Sequence, residues 1–405
     1  MKTQIGFQEA HQLALEAVPA LGSEYLPLHL ITDRILTNEL VAKVDSPSLT
    51  ASLKDGYAVI ALDLQNASTN HPIKLQLIGA TSAGNATPPS ITSGQTVRVT
   101  TGAPVPEGAD AVLAEEFCRC TNGKIVCTDP IQPGKNILQK GTDIKIGEII
   151  ARRGDQLVPP RVGLLASAGH DGAQVVKRSR VAVIATGDEV IAPGIPLKKG
   201  TLYASNLVEI CSWLSMFGMH TESAVVPDSR KAIRSAIQEY YPTVDAFITS
   251  GGAWSSERDL MLHVLEELNW LGIYHRVRMG PGKGIGFGLL EEKPFFFLPG
   301  GPPSAEMAFL QIALPALLHM QGYARPPFPT LQAELDETVK GQRDWTQFIH
   351  AGFLQEQGKI VVRPTQLKSR LQSMANKQAL IVIPEGVETI SSGTKIDVQV
   401  LTPWR

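Results

Sequence analysis

Apolar residues at Phe7, Ala10, Leu13, Leu15 and Val18 recur at roughly helical spacing and predict a short helix over residues 7–18. From about residue 46 to 142 the period shortens. The runs Ile73–Ile78, Thr96–Val99, Ala111–Ala114 and Lys124–Cys127 are separated by Gly, Pro and Asn-Gly turns, which predicts an antiparallel, β-rich domain. Gly147, Gly154, Pro159 and Pro160 then lead into a short helical stretch, Arg161–Ala168.

At Arg180 the pattern changes again. VAVIATG reads as a buried strand closing on glycine, with a helical pattern around Leu207–Phe217 after it. VDAFITSGG (244–252) repeats the device before a helix over Asp259–Leu268, and PFFFLPGG (294–301) repeats it before a helix over Ser304–Met320 that contains Pro315. Strand, glycine turn and helix in series predict an α/β domain with a parallel sheet. The last 80 or so residues return to short strands (Gln347–Phe353, Ile360–Val362, Leu380–Ile383, Lys395–Leu401) and predict a small C-terminal β-barrel.

Length and composition narrow the function classes. At roughly one domain per 100–200 residues, 405 residues imply several domains. Lys and Arg number 37 against 39 Asp and Glu, a net charge of −2 that argues against bulk nucleic-acid or anionic-membrane binding. Four cysteines are too few for a disulfide scaffold. No apolar leader opens the chain and no run approaches the roughly 18 apolar residues of a membrane span, so the expected compartment is the cytoplasm.

In an open parallel sheet, ligands bind beyond the carboxyl ends of the strands. Three loops occupy that edge: TGDE (186–189), SGGAWSSERD (250–259) and LPGGPPS (298–304). Gly-Gly before a helix exposes backbone N–H groups to a phosphate or oxyanion, although the same pair also serves as a plain tight turn. Neither GxxxxGK[ST] nor GxGxxG is present. Ser256-x-x-Asp259 fits a capping box, so Asp259 either caps its own helix or holds a cation. Glycines at 280, 282, 284, 286 and 288 would, if extended, strip one face of side chains, with Lys283 the one charge among them. An Asn122-Gly123 turn pairs Cys120 with Ile125 and Cys118 with Cys127, as free thiols or as ligands of a metal.

Together these segments resemble the molybdopterin molybdenumtransferases, the MoeA family that includes the E domain of gephyrin. The match runs in order through DSPSLTASLKDGYAV (45–59), TGAPVPEGADAV (101–112), NILQKGTDIKIG (136–147), GLLASAG (163–169), RVAVIATGDEV (180–190), ITSGG (248–252), PGKGIGFG (281–288), LPGGPPSA (298–305) and SRLQSMANKQALIVIP (369–384). The resemblance implies a multidomain α/β plus β protomer in a homodimer. Its parts would be an elongated domain (1–45 and 143–178), a β-rich inserted domain (46–142), a MogA-like α/β molybdopterin-binding domain (179–325) and a C-terminal β-barrel (326–405).

The implied reaction hydrolyses adenylylated molybdopterin, releases AMP and inserts molybdenum from molybdate, with Mg2+ assisting. Asp55 is similar to the family's carboxylate contributed across the dimer interface, and Asp143, Glu189 and Asp259 match its other functional carboxylates. Glu189 and Asp259 are the implied magnesium ligands, and Lys283 matches an active-site lysine. Thr186, Gly187, Asp188, Ser250, Gly251, Gly252, Pro299 and Gly300 would hold the pterin and its phosphates, and Ser304 and Ser369 match hydroxyls of the molybdate pocket. An adenylyltransferase that supplies the substrate and molybdoenzymes that accept the product are the implied protein partners.

The chain also departs from the family pattern. Gly280 stands where a first lysine is usual, Ala204 for an aspartate, Gly301 for an asparagine and His350 for an arginine, while Trp254 and Ser256 replace small residues. The lost positive charge raises a second reading, a non-catalytic carrier or regulator that binds molybdopterin.

Overall fold

The computed structural model describes residues 1–84, 88–251, 260–356, 358–365 and 369–401. Its helices are α1 (Phe7–Ala17), α2 (Pro159–Ser167), α3 (Ser205–Met216), α4 (Arg230–Tyr240), α5 (Leu260–Glu267), α6 (Pro302–Ala308), α7 (Leu314–Met320) and α8 (Arg370–Asn376). The chain divides into two compact units, one formed by residues 1–24 and 176–405, the other by residues 25–175.

The first unit is built on a sheet whose parallel part has the order His220–Val226, Arg180–Thr186, Ala246–Ser250, Lys293–Leu298. Arg180–Thr186, Ala246–Ser250 and Lys293–Leu298 are apolar almost throughout because both faces are covered. Val181, Val183, Ile248 and Phe296 point into a core shared with α1, α3, α6 and α7. Ala182, Ile184, Phe247, Phe295 and Phe297 point to the opposite core, shared with α4 and α5. The expected parallel sheet is present, and Gly286–Leu290 and Leu271–Gly280 extend it antiparallel, so the whole sheet is mixed. A short turn joins Gly286–Leu290 to Lys293–Leu298, and such a connection allows only an antiparallel pair.

The glycine run is likewise extended only in part. Gly280 ends one strand, the chain turns through residues 281–285, and Gly286 and Gly288 lie in the next strand. There the bare face serves close packing: a β-carbon on Gly288 would sit 2.5 Å from the Trp270 ring.

The predicted C-terminal barrel is present. Thr346–Glu356, Lys359–Pro364, Thr330–Leu335, Lys395–Val400 and Ala379–Ile383 pair in succession, and the last returns to the first. Ala333, Val362, Ala379, Ile381 and Val398 fill its interior.

The helix expected over Ser304–Met320 is interrupted at Phe309–Ala313 by a π turn between α6 and α7. Pro315 has no N–H to give the Gln311 carbonyl four residues earlier. The His11 Nδ1–H of α1 donates to that carbonyl instead, at 3.0 Å.

The second unit carries a six-stranded sheet, ordered Ala111–Ala114, Gly56–Val59, Gln95–Val99, Ile73–Thr81, Lys124–Cys127, Cys118–Thr121. It is not wholly antiparallel, since Ile73–Thr81 and Gln95–Val99 run parallel. The stretch 82–94 between them is long enough for a crossover. The hairpin has the expected register, Cys118 opposite Cys127 and Cys120 opposite Ile125, with Asn122 and Gly123 both at positive φ (50° and 74°) as a type I′ turn requires. The cysteines are unbridged, and a hydrogen bond between Cys118 and Cys127, together with burial, pushes the Cys118 thiol up.

Candidate active site

The strands Arg180–Thr186, Ala246–Ser250 and Lys293–Leu298 end together, and their loops meet the start of α3 around a cavity of 610 Å³. Thr186, Glu189, Ser250, Gly251, Gly300 and Pro302 line it from the strand ends. Tyr203, Ala204 and Asn206 line it from the segment entering α3, and Leu371 from α8.

Asn206 joins two of the loops. Its amide nitrogen donates to Ser250 Oγ at 3.0 Å and to the Gly300 carbonyl at 2.9 Å, while its Oδ1 is buried without a donor. Gly251 sits at φ +110°, and a β-carbon there would lie 2.3 Å from the Thr186 carbonyl oxygen. Only glycine lets these two loops close on each other at that point. Their unadorned backbone and the N-terminal turn of α3 offer N–H donors where an anionic ligand would sit.

Beside this wall the acidic groups gather. Asp188 Oδ1 accepts the Asp228 backbone N–H at 3.0 Å. Burial, then the neighbouring carboxylates of Asp188 and Glu189, push the Asp228 carboxyl above its ordinary range. Carboxylates crowded in this way are relieved by a cation. Among the described residues no group of three or more His, Cys, Asp or Glu is placed to hold a metal unaided. Magnesium commonly takes one or two carboxylates and completes its shell with phosphate and water, so this oxygen-only donor set fits it.

The other residues singled out in the sequence fall as follows. Lys283 is exposed in the turn 281–285, and a β-carbon on neighbouring Gly284 would lie 3.4 Å from Pro299, which puts that turn against the LPGG loop. Ser304 is half-buried near the start of α6. Ser369 is the N-cap of α8, its Oγ accepting the Gln372 N–H at 3.3 Å, a structural duty the sequence did not suggest. His350, on strand Thr346–Glu356, lies 3.7 Å from Glu306.

Asp55 and Asp143 belong to the second unit, and both are exposed. The Thr101 N–H at 2.6 Å, then its hydroxyl, hold the Asp55 carboxyl below its usual range. Gly252, Trp254, Ser256 and Asp259 lie outside the described residues. Sequence reasoning missed Asn206, Tyr203 and Asp228. Asp228 follows strand His220–Val226 in VVPDS, and the position just past a strand end was the signal available.

A doubly wound α/β core with its crevice at the strand ends, joined to a β-barrel and an additional β-sheet unit, defines a multidomain α/β plus β protein built to hold an anionic ligand. The sequence matches three family models in order: "MoeA N-terminal region (domain I and II)" over residues 5–169, "Probable molybdopterin binding domain" over 182–319 and "MoeA C-terminal region (domain IV)" over 332–401. It is 30% identical to the molybdopterin molybdenumtransferase of Haemophilus influenzae over 402 residues, 96% of this chain and 97% of that one. With the enzyme of the same name from Bacillus subtilis it shares 27% identity over 93% of this chain and 89% of the other. The solved structure of a molybdopterin biosynthesis moeA protein from Pyrococcus horikoshii superposes with a TM-score of 0.83 at 26% identity, covering 98% of this chain and all of the other. The chain belongs to the molybdopterin molybdenumtransferase family.

Proposed function

We propose that the protein takes adenylylated molybdopterin into the 610 Å³ cavity and inserts molybdenum from molybdate, releasing AMP. The observation that carries this reading is the meeting of three strand-end loops around one cavity, two of them tied by Asn206 and opened by Gly251. Its relatives over nearly the full length are molybdenumtransferases, so transferase chemistry in molybdenum cofactor biosynthesis is the reading and the non-catalytic carrier is not favoured.

The diphosphate lies against the backbone N–H groups of residues 187, 251 and 300, where no side chain keeps it off. Thr186, Ser250 and Pro299 shape the same wall. Glu189, with Asp188 and Asp228 near it, would hold magnesium, which when bound would screen the phosphate charge; the family resemblance adds Asp259, which lies outside the described residues. Lys283 neutralises the anion that leaves or the molybdate that enters, and Ser304 and Ser369 donate hydroxyl hydrogen bonds to molybdate.

Asp55 completes the site from a second copy of the chain, so the working form is a homodimer, and Asp143 is a further functional carboxylate. The four-domain division drawn from the sequence is kept in this reading, with a cytoplasmic location and with an adenylyltransferase and acceptor molybdoenzymes as partners.

The test is AMP release from adenylylated molybdopterin with molybdate and Mg2+. The wild type releases AMP and forms metallated cofactor, and Asp143→Asn abolishes turnover while the dimer persists in sedimentation. Tight pterin binding without AMP release would overturn the enzyme reading.

A further inference from the structure

One part of the cavity wall stands on a very short helix. α8, Arg370–Asn376, contributes Leu371 to the lining, and the start of α6 contributes Pro302. The two helices are seated differently. α6 is embedded, with Ala305, Glu306, Met307 and Ala308 all buried. α8 buries only Ser373 and Met374, while Leu371 is 54% exposed. A helix this short is not stable by itself in water, and one buried methionine is a slight anchor. A further contact is needed to fix where α8 stands.

That contact is a buried ion pair at the C-terminal end of α8. Lys377, which caps this end, turns its ammonium inward to the Glu306 carboxylate of α6. The same ammonium donates to the Met374 carbonyl at 2.8 Å, one of the last-turn carbonyls that a helix leaves without an N–H of its own. The side chains of Glu306 and Lys377 are 1% and 5% exposed. From the barrel, His350 Nε2 lies 3.7 Å from the second Glu306 oxygen. Burial and then Lys377 push this imidazole down, so it adds no charge near neutral pH. A buried pair of this kind contributes little to stability, because taking two charges out of water offsets their attraction. It is directional, however. A buried ammonium must stay on its acceptors, whereas an apolar contact would let the short helix slide.

We infer that Glu306 and Lys377 are positioning residues for the cavity: their ion pair fixes α8 on α6, and so sets where Leu371 and Ser369 stand relative to Pro302 and Ser304. This rests on the cavity being the pterin site.

The test is steady-state AMP release by the intact protein with adenylylated molybdopterin, molybdate and Mg2+. Glu306→Leu combined with Lys377→Met removes both charges together and leaves neither one buried alone, so the urea midpoint should not fall. The KM of this double variant for adenylylated molybdopterin should rise about tenfold, and kcat should change less, because a displaced wall weakens ligand binding before and during the reaction alike. A wild-type KM at a preserved midpoint would overturn the proposal. Should the double variant fail to fold, Leu371→Ala removes the exposed side chain that the pair places in the wall. A raised KM then supports the inference, and an unchanged KM counts against it. If the wild type releases no AMP, the assignment of the cavity fails instead, and the tie is read without ligand. Amide hydrogen exchange over residues 370–376 should be faster in the double variant than in the wild type, and equal exchange overturns the inference.

Discussion

At the scale of single residues, the site depends on what is missing as much as on what is present. Gly251 has no side chain because the Thr186 carbonyl occupies the place of its β-carbon, 2.3 Å away, and because its φ of +110° is one that L-residues rarely adopt. Gly251→Ala should therefore destabilise the protein by about 1–3 kcal/mol and spread the two loops. Chemical denaturation would show the first effect and weakened pterin binding the second. Sequence reasoning reached this glycine through its place after a strand. It could not reach Asn206, because an asparagine at a helix start most often serves its own helix. Here its amide reaches Ser250 and Gly300, residues 44 and 94 positions away in the chain.

At the scale of elements, apolar periodicity located most of the segments. It missed strand His220–Val226, whose apolar pattern is broken by exposed Glu222 and Ser223, and α4, whose long polar face dilutes its apolar stripe. The helix through Pro315 was legible, but its interruption was not. The reason is that the partner of the freed Gln311 carbonyl, His11, comes from the opposite end of the chain. His11→Ala should leave that carbonyl without a donor and cost about 1–2 kcal/mol, measured as a lower midpoint in urea. A preserved midpoint would mean that water takes over the bond.

For the whole molecule, the net charge of −2 gives no broad field to draw in anions, so a few local groups must do it. Gly280, where the family resemblance implies a lysine, has room for one: a β-carbon there meets nothing nearer than Gln347 Cγ at 3.8 Å. Gly280→Lys should leave the melting temperature within a degree or two and raise the rate of AMP release. Slower release would mean that this chain has retuned its site around a neutral residue. Glu209, half-buried on α3, adds a pH signature to stability. Glu209 titrates higher in the folded protein than its ordinary value of 4.5, up to about 8. Its contribution is full below about pH 4.5, is lost as pH rises towards about 8 and is flat above it. The melting temperature of the wild type should fall through that window relative to Glu209→Gln.

The sequence by itself determined the strand–glycine–helix series, the barrel strands, the hairpin register of Cys118 and Cys127 and the identity of the strand-end loops. Those features follow from local periodicity and turn chemistry, which neighbouring residues carry within themselves. Only the tertiary structure decided that Asn206 ties two loops, that Asp228 joins Asp188 and Glu189, and that Glu306, Lys377 and His350 meet. No local rule predicts such meetings. Each depends on which helix faces lie against each other, and on the cost of burying charge, which forces polar residues from distant segments to find one another.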